Sequence, residues 1–178
     1  MCPPPARAAA ARVSRVRSAA LLLAAGAVAV LSGCAPTVGL TPAAHAGDPR
    51  CAAVTVRLPN TVAGLASRET NAQATGAWGD PAAVLLRCGV PDPGPTTLPC
   101  VTALGIDWVV DASNQKAISY TTFGRTPAIQ VVVDHTAVSD STVLADLKPA
   151  VSVIPQKHKC LDTSDAFTTP APSSTPIP

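Results

Sequence analysis

Cys34 is the residue whose surroundings in the sequence most clearly imply a chemical reaction. It directly follows a Leu-Ser-Gly block and an uncharged apolar run over residues 19–30, and four arginines precede that run. A basic segment followed by about 7–15 apolar residues is the pattern of a signal peptide. Small residues before a cysteine leave the backbone open to a peptidase, and the thiol can be alkylated by a diacylglyceryl group. The sequence therefore predicts that residues 1–33 are a signal peptide and that Cys34 is lipidated.

Two other interpretations of this leader stay open. Ala44, His45 and Ala46 form a site for ordinary secretory cleavage, although they lie well beyond the apolar run. An uncleaved membrane anchor is the second alternative. A transmembrane helix needs about 20 apolar residues, however, and Pro36 and Pro42 interrupt the uncharged stretch. We expect a protein on the extracytoplasmic face of the cell membrane, held by acyl chains such as palmitate, since two or more chains anchor stably.

Removal of the leader changes the charge of the chain. Residues 1–33 hold four of the thirteen Lys and Arg residues and none of the eleven Asp and Glu residues, so the other 145 residues carry a formal net charge of −2. A nucleic-acid-binding domain needs Lys and Arg clustered on one face, and the sequence shows no such cluster. The expected partners are the membrane, through the lipid anchor, and an envelope protein or the cell wall.

Four cysteines, Cys51, Cys88, Cys100 and Cys160, follow Cys34. An even number of cysteines in an exported chain favours disulfides, here two of them. A structural zinc site would usually show closely spaced C-x-x-C pairs, and the sequence has none, so neither a metal nor another cofactor is expected. Three pairings are possible, and proximity in the sequence suggests Cys88–Cys100 with Cys51–Cys160.

Asp80, Asp107 and Asp111 could supply the carboxylate pair of a glycoside hydrolase, which works at separations of about 5–10 Å. Each has a simpler interpretation. Asp80 precedes a proline and is typical of a turn, while the other two alternate with apolar residues, as on a solvated sheet face. A nucleophile set built on Asp134 and His135 is disfavoured, because adjacent strand residues point to opposite faces. No catalytic residue is predicted.

Trp78, Asp80 and Arg125 are the candidate ligand-binding residues. Trp78 could stack on a sugar or a peptidoglycan fragment, although in a chain with five aromatic residues a tryptophan also serves as a core anchor. Arg87 and Arg125 could each bind a carboxylate or phosphate through two parallel hydrogen bonds. The alternative is that these arginines pair with Asp107 or Asp80 across a sheet.

Hydrophobic periodicity predicts the elements that would position these residues. Asp48 followed by Pro49 is a helix-start signal. A second helix is expected to begin at Ser139 or Asp140. Alternation of apolar and polar residues predicts four strands, over residues 83–90, 106–111, 117–123 and 128–134. Residues 60–79 are mixed, and we expect a helical turn and a loop there.

The predicted elements form a single domain of the α+β class over residues 48–162. We expect a small antiparallel sheet of about four strands with two helices packed on one face, stapled by the disulfides. Residues 34–47 show no periodicity and are expected to be a lipid-proximal tether. Residues 163–178 are rich in Ser, Thr and Pro. They cannot bury enough apolar surface to offset the entropy of ordering, so we expect a disordered tail.

Several segments of this domain together carry a resemblance. They are Cys51-Ala-Ala-Val with Leu58-Pro, Ala77-Trp-Gly-Asp-Pro running into Leu86-Arg-Cys-Gly-Val, Gly105-Ile-Asp-Trp, and Thr121-Thr-Phe-Gly-Arg-Thr-Pro. Over about residues 48–155 the chain resembles a family of exported actinobacterial lipoproteins known as domain of unknown function 3515. The resemblance implies an envelope-anchored protein of uncharacterised activity. It also implies the pairing Cys51–Cys88 with Cys100–Cys160, which differs from the pairing that proximity suggests.

The sequence therefore favours a non-enzymatic binding or scaffolding module of the cell envelope, since no catalytic arrangement is visible. A hydrolase of a cell-wall polymer that acts through Asp80 or Asp107 is one alternative. A lipoprotein that captures a ligand for a transporter is another, although the domain is small for a two-lobed receptor.

Overall fold

The computed structural model describes residues 36–161, which form one antiparallel sheet of eight strands and two helices. The strands are β1 (Thr61–Val62), β2 (Leu65–Arg68), β3 (Thr75–Trp78), β4 (Val84–Val90), β5 (Cys100–Ala103), β6 (Ile106–Asp111), β7 (Ala117–Thr122) and β8 (Ala128–Asp134), and the helices are α1 (Pro49–Thr55) and α2 (Asp140–Val151). Their order across the sheet is β1-β2-β3-β4-β8-β7-β6-β5. The predicted signal peptide, the lipidated Cys34 and the predicted tail lie outside the described residues.

The sheet is wider than the sequence suggests, so the expectation of about four strands with two helices on one face is wrong. Alternation identifies β4, β6, β7 and β8, but it does not identify β1, β2, β3 or β5. These four strands have only two to four residues each, too few for a period of two to show. The helical turn expected in this region is instead a hairpin between β1 and β2, in which Ala63 and Gly64 have positive φ angles of 48° and 78°.

Helix α2 lies against strands at both edges of the sheet, β1 and β5, as well as against β8. A helix of 12 residues is about 18 Å long, whereas eight strands spaced about 4.8 Å apart span about 34 Å when flat. The sheet therefore curls around α2, in keeping with the natural twist of β-sheets. Buried side chains from the strands and from both helices form one hydrophobic core.

The two tryptophans are anchors of this core. Trp78 and Trp108 are 1% and 0% exposed. Trp108 lies edge-on to Tyr120, with ring centroids 6.4 Å apart, an arrangement that aromatic rings favour. The Tyr120 hydroxyl donates a hydrogen bond of 2.6 Å to Asp140 at the start of α2, which links the sheet to the helix.

Helix α1 begins where the sequence predicts. The Asp48 side chain accepts a hydrogen bond of 2.8 Å from the backbone N–H of Arg50, and Pro49 occupies the first turn. The helix has only seven residues. Within residues 36–161, neither helix is long and apolar enough to cross a bilayer.

Two disulfides staple the fold, and their pairing is the one that the family resemblance implies. Cys51–Cys88 joins α1 to β4 with a Cα–Cα distance of 5.5 Å, and Cys100–Cys160 joins β5 to the C-terminal segment at 5.9 Å. The pairing suggested by sequence proximity is wrong. Closing loops of this size contributes on the order of 4 kcal/mol each in a chain-entropy treatment.

Residues 36–46, here called the N-terminal strap, run across the convex face of the sheet. The backbone N–H of Val38 donates to Glu69 at 2.8 Å, and its carbonyl accepts from Asn71 at 3.3 Å. Further along, the N–H of His45 donates to the Gly89 carbonyl at 2.9 Å, and Ala46 is 6% exposed. Most of the segment expected to be a tether is therefore held against the loop between β2 and β3 and against β4.

Residues 154–161, the C-terminal strap, cover the opposite end of the convex face. The backbone N–H of Lys157 donates to Gly124 at 2.7 Å, and the N–H of Cys160 donates to the carboxylate of Asp107 at 2.8 Å. Gly124 is required for this approach, because a Cβ there would lie 2.0 Å from the His158 carbonyl oxygen. Between the two chain ends, Leu85, Arg87 and Val132 remain partly exposed on this face.

Replacement of Gly89 by alanine tests the packing of the N-terminal strap. Gly89 has a φ of +103°, and a Cβ there would lie 2.4 Å from the carbonyl carbon of His45. Gly64 also has a positive φ, +78°, but no atom lies within 4 Å of its Cβ position. Chemical denaturation should show a loss of about 1 kcal/mol for G64A and about 2–4 kcal/mol for G89A. Equal losses in the two variants would contradict the strap contact.

Candidate functional site

Trp78 does not offer a ring face to a ligand. Its side chain is 1% exposed, and its indole Nε1 donates a hydrogen bond of 2.9 Å to the Pro59 carbonyl. Gly76 lets the ring pack closely, because a Cβ on Gly76 would lie 2.7 Å from the ring. Trp78 therefore fills the core between β3 and the end of α1.

Asp80 and Arg125 occupy opposite environments. The Asp80 side chain is 75% exposed and forms an ion pair of 2.8 Å with Arg68. Arg125 is 5% exposed, and its guanidinium donates to the carbonyl of Ile154 in the C-terminal strap. Burial lowers the pKa of Arg125, and the nearby Asp107 carboxylate partly opposes this effect.

The three predicted ligand-binding residues do not form one site. Trp78 pairs with Val84, which in turn pairs with Val133 near the end of β8, whereas Arg125 precedes Ala128 at the start of β8. Five residues of strand span about 17 Å. Trp78 and Asp80 therefore lie at one end of the sheet, and Arg125 lies at the other.

Asp107 is a structural carboxylate, and the expectation that it lies on a solvated face does not match its 4% exposure. It accepts hydrogen bonds from the Thr102 hydroxyl at 2.6 Å, from the Gln156 amide at 2.8 Å and from the backbone of Cys160. Burial alone would raise the pKa of Asp107, but these hydrogen bonds outweigh it and hold the pKa below its usual range. The carboxylate thus holds the C-terminal strap in place.

The carboxylates do not form the pair that a glycoside hydrolase needs. Asp80 follows β3 and Asp107 lies on β6, which are four strand spacings apart in the sheet, or about 19 Å. Asp111 lies four residues beyond Asp107 on the same strand, about 13 Å away. Catalytic pairs work at about 5–10 Å.

A groove on the open part of the convex face is the candidate ligand site. It is lined by Leu85 and Arg87 of β4, Val132 of β8, and residues 39–41 of the N-terminal strap, and it encloses about 350 Å³. We call it the Arg87 groove. Alternation in β4 places Leu85 and Arg87 on this face, because Val84, Leu86 and Cys88 point into the core.

Arg87 is the cation of this groove, and its protein partner is neutral. The guanidinium donates to the side-chain oxygen of Gln130, the directly opposite residue on β8. Among residues 36–161, no carboxylate forms an ion pair with Arg87. The pairing with Asp107 or Asp80 that the sequence suggests is therefore absent, and part of the guanidinium fork is left for another acceptor.

The other groups at the groove suit a ligand with a negative end and an apolar body. The Thr121 hydroxyl lies in the same cross-strand row as Arg87 and Gln130, and Thr41 lines the groove from the strap. Hydroxyl and amide groups can donate to an anion. Leu85 and Val132 are partly buried and supply the apolar part of the lining.

A second cleft, of about 320 Å³, is lined by charged side chains that neutralise one another. Arg50 binds both carboxylate oxygens of Asp48, at 2.9 and 2.7 Å, and also donates to the Thr126 carbonyl. These hydrogen bonds lower the pKa of Asp48 to about 2. His45 and Asp92 also line the cleft, but no group of three or more potential metal ligands occurs among residues 36–161. The Arg50 pair ties α1 to the β7–β8 loop.

The fold and the Arg87 groove define a class of protein: a small antiparallel β domain, stapled by two disulfides, with a cationic groove beside its N-terminal strap. The chain belongs to the family described as a protein of unknown function (DUF3515), whose model matches residues 15–159. The family part of the resemblance is thereby confirmed. Neither the search of curated proteins nor the search of solved structures finds a match.

The groove could be found only in part from the sequence. Arg87 interrupts the apolar alternation of β4 and was a visible candidate for anion binding. No sequence pattern indicates the wall formed by residues 39–41, because an uncharged segment without periodicity is typical of a linker. The wall is held by a hydrogen bond between Leu40 and Asn71, which lie 31 positions apart in the sequence.

The two arginines should differ in their effect on stability. Arg87→Met removes a partly exposed cation with a neutral partner, so the free energy of unfolding should change by less than about 0.5 kcal/mol. Arg125→Met leaves the Ile154 carbonyl without its donor in a buried position and should cost about 2–3 kcal/mol. Thermal or chemical unfolding of both variants measures the difference. A loss for R87M as large as that for R125M would make Arg87 a structural residue.

Proposed function

We propose that this protein is an actinobacterial envelope lipoprotein that acts as a non-enzymatic binding module. In this proposal residues 1–33 are the signal peptide, and the acylated Cys34 anchors the domain on the extracytoplasmic face of the cell membrane. The Leu-Ser-Gly-Cys block after a basic and apolar leader supports the anchor. The resemblance to exported lipoproteins supports the location, and the two disulfides agree with an oxidising compartment.

The observation that carries the binding role is the guanidinium fork of Arg87, which has a neutral partner, Gln130, and no carboxylate partner among the described residues. Each of three other arginines of the described domain has a clear structural use: Arg50 pairs with Asp48, Arg68 pairs with Asp80, and Arg125 binds the C-terminal strap. A guanidinium in a groove, with a neutral partner and nearby donors, fits a carboxylate or phosphate with two parallel hydrogen bonds. The ligand class is therefore an anionic group attached to an apolar body.

A cell-wall hydrolase is the weaker candidate. It would act through Asp80 or Asp107, but Asp80 is exposed and paired with Arg68, and Asp107 holds the C-terminal strap. The ligand-capture alternative is compatible with the Arg87 groove. It differs from a scaffolding role only in what happens to the ligand afterwards.

Titration of the purified chain with glycerol phosphate and with acetate, followed by calorimetry or NMR, tests the binding role. We expect saturable binding that weakens at least tenfold in Arg87→Gln. Arg87→Lys should retain part of the affinity, because lysine keeps the charge but loses the fork.

Arg57→Gln is the matched control, since it removes the same charge from an exposed residue whose side chain donates to the Ala53 carbonyl in α1. It should bind both probes as the wild type does. Equal binding by R87Q and the wild type would contradict the proposed role of the groove. The same conclusion would follow if R57Q weakened binding as much as R87Q does.

A further inference from the structure

The N-terminal strap limits how far the domain can stand from a lipid on Cys34. Val38 is held by backbone hydrogen bonds through both its N–H and its carbonyl, at 2.8 and 3.3 Å. Leu40 is held in addition, because its N–H donates to the Asn71 side chain at 2.7 Å. Only three residues separate Cys34 from Val38 in the sequence. Four fully extended steps of chain reach at most about 14 Å.

The same strap forms one wall of the Arg87 groove. Gly39, directly after Val38, lines the groove together with Leu40 and Thr41. From Cys34 to Gly39 the chain spans at most about 17 Å. The polar headgroup layer on each side of a bilayer is several ångströms thick, since the whole bilayer is about 40–45 Å and its hydrocarbon core about 30 Å. An acylated Cys34 therefore brings the mouth of the groove to the level of the headgroups or just outside it.

We propose that the Arg87 groove binds the phosphate group of a membrane phospholipid in the bilayer to which the protein is anchored. This inference rests on the proposed lipid anchor and names the source of the anion. The phosphate accepts from the guanidinium fork of Arg87, and the Gln130 amide and the Thr41 hydroxyl are further donors at the groove. Leu85 and Val132 contact the glycerol and the first carbons of the acyl chains.

The small number of donors favours a lipid over a soluble anion. One guanidinium and a few neutral donors give weak binding to a free ion in water. A short tether makes the encounter with a lipid intramolecular, with an effective concentration in the millimolar range or above. The lipid thus becomes the dominant ligand without further contacts, and the domain is oriented with its convex face toward the membrane.

Solid-state NMR of the acylated protein in phospholipid bilayers tests this inference. Arginine labelled with ¹³C at Cζ is observed, and the loss of its signal through dipolar coupling to lipid ³¹P reports close contact. Phosphate-free buffer is used, and mass spectrometry of the same sample verifies the acyl groups. We expect dephasing in the wild type, its loss in Arg87→Gln, and its retention in Arg57→Gln.

A second variant tests the tether without altering the groove. Insertion of 20 Gly and Ser residues between Pro36 and Thr37 should lower the effective concentration on the order of tenfold and reduce the dephasing.

Three contrary outcomes of these measurements can be told apart. Dephasing that persists in R87Q places another arginine at the lipid and overturns the inference. No dephasing in the acylated wild type, with glycerol phosphate still bound in solution, also overturns it but leaves the proposed function intact. Dephasing unaffected by the insertion contradicts the role of the short tether.

Discussion

A sheet that curls around one helix has two faces to cover, and in this protein α2 covers only the concave one. The convex face is covered by the two ends of the chain. The N-terminal strap is held through backbone bonds to Glu69, Asn71 and Gly89, and the C-terminal strap is held through Asp107 and the Cys100–Cys160 disulfide. Because the straps approach from opposite ends, the strip between them stays open, and Arg87 lies in that strip.

The charged side chains of the domain also differ in the kind of partner that they have. One group of charged side chains forms contacts that hold chain segments together. It consists of Arg50, Arg125, Asp48 and Asp107. The lowered pKa values of Asp48 and Asp107 reflect carboxylates whose charge is already satisfied by the fold. Arg87 differs, because its partner is an amide and its neighbours on the sheet are neutral. Among the described residues, Arg87 is thus a candidate binding group, and it lies beside the N-terminal strap.

Side-chain spacing and capping residues predict the longer strands and the starts of the helices, because these features depend on residues close together in the sequence. The Asp48 cap, the strands with six or seven residues and the start of α2 follow from side-chain spacing and capping. Strands β1, β2, β3 and β5 are too short for alternation to show, although each pairs with a strand adjacent to it in the sequence. Trp78 was recognisable as a core anchor. The burial of Asp107 was not predictable, since it depends on a strap about 50 residues further along the chain.

The proposed position of the Arg87 groove at the membrane surface depends on the lipid anchor at Cys34. Intact mass spectrometry of the mature protein, purified from the envelope of its own cells, tests it most directly. We predict a chain that starts at Cys34 and carries the added mass of a diacylglyceryl group. A chain that starts at Gly47 without acyl mass, or one that retains residues 1–33, would contradict it.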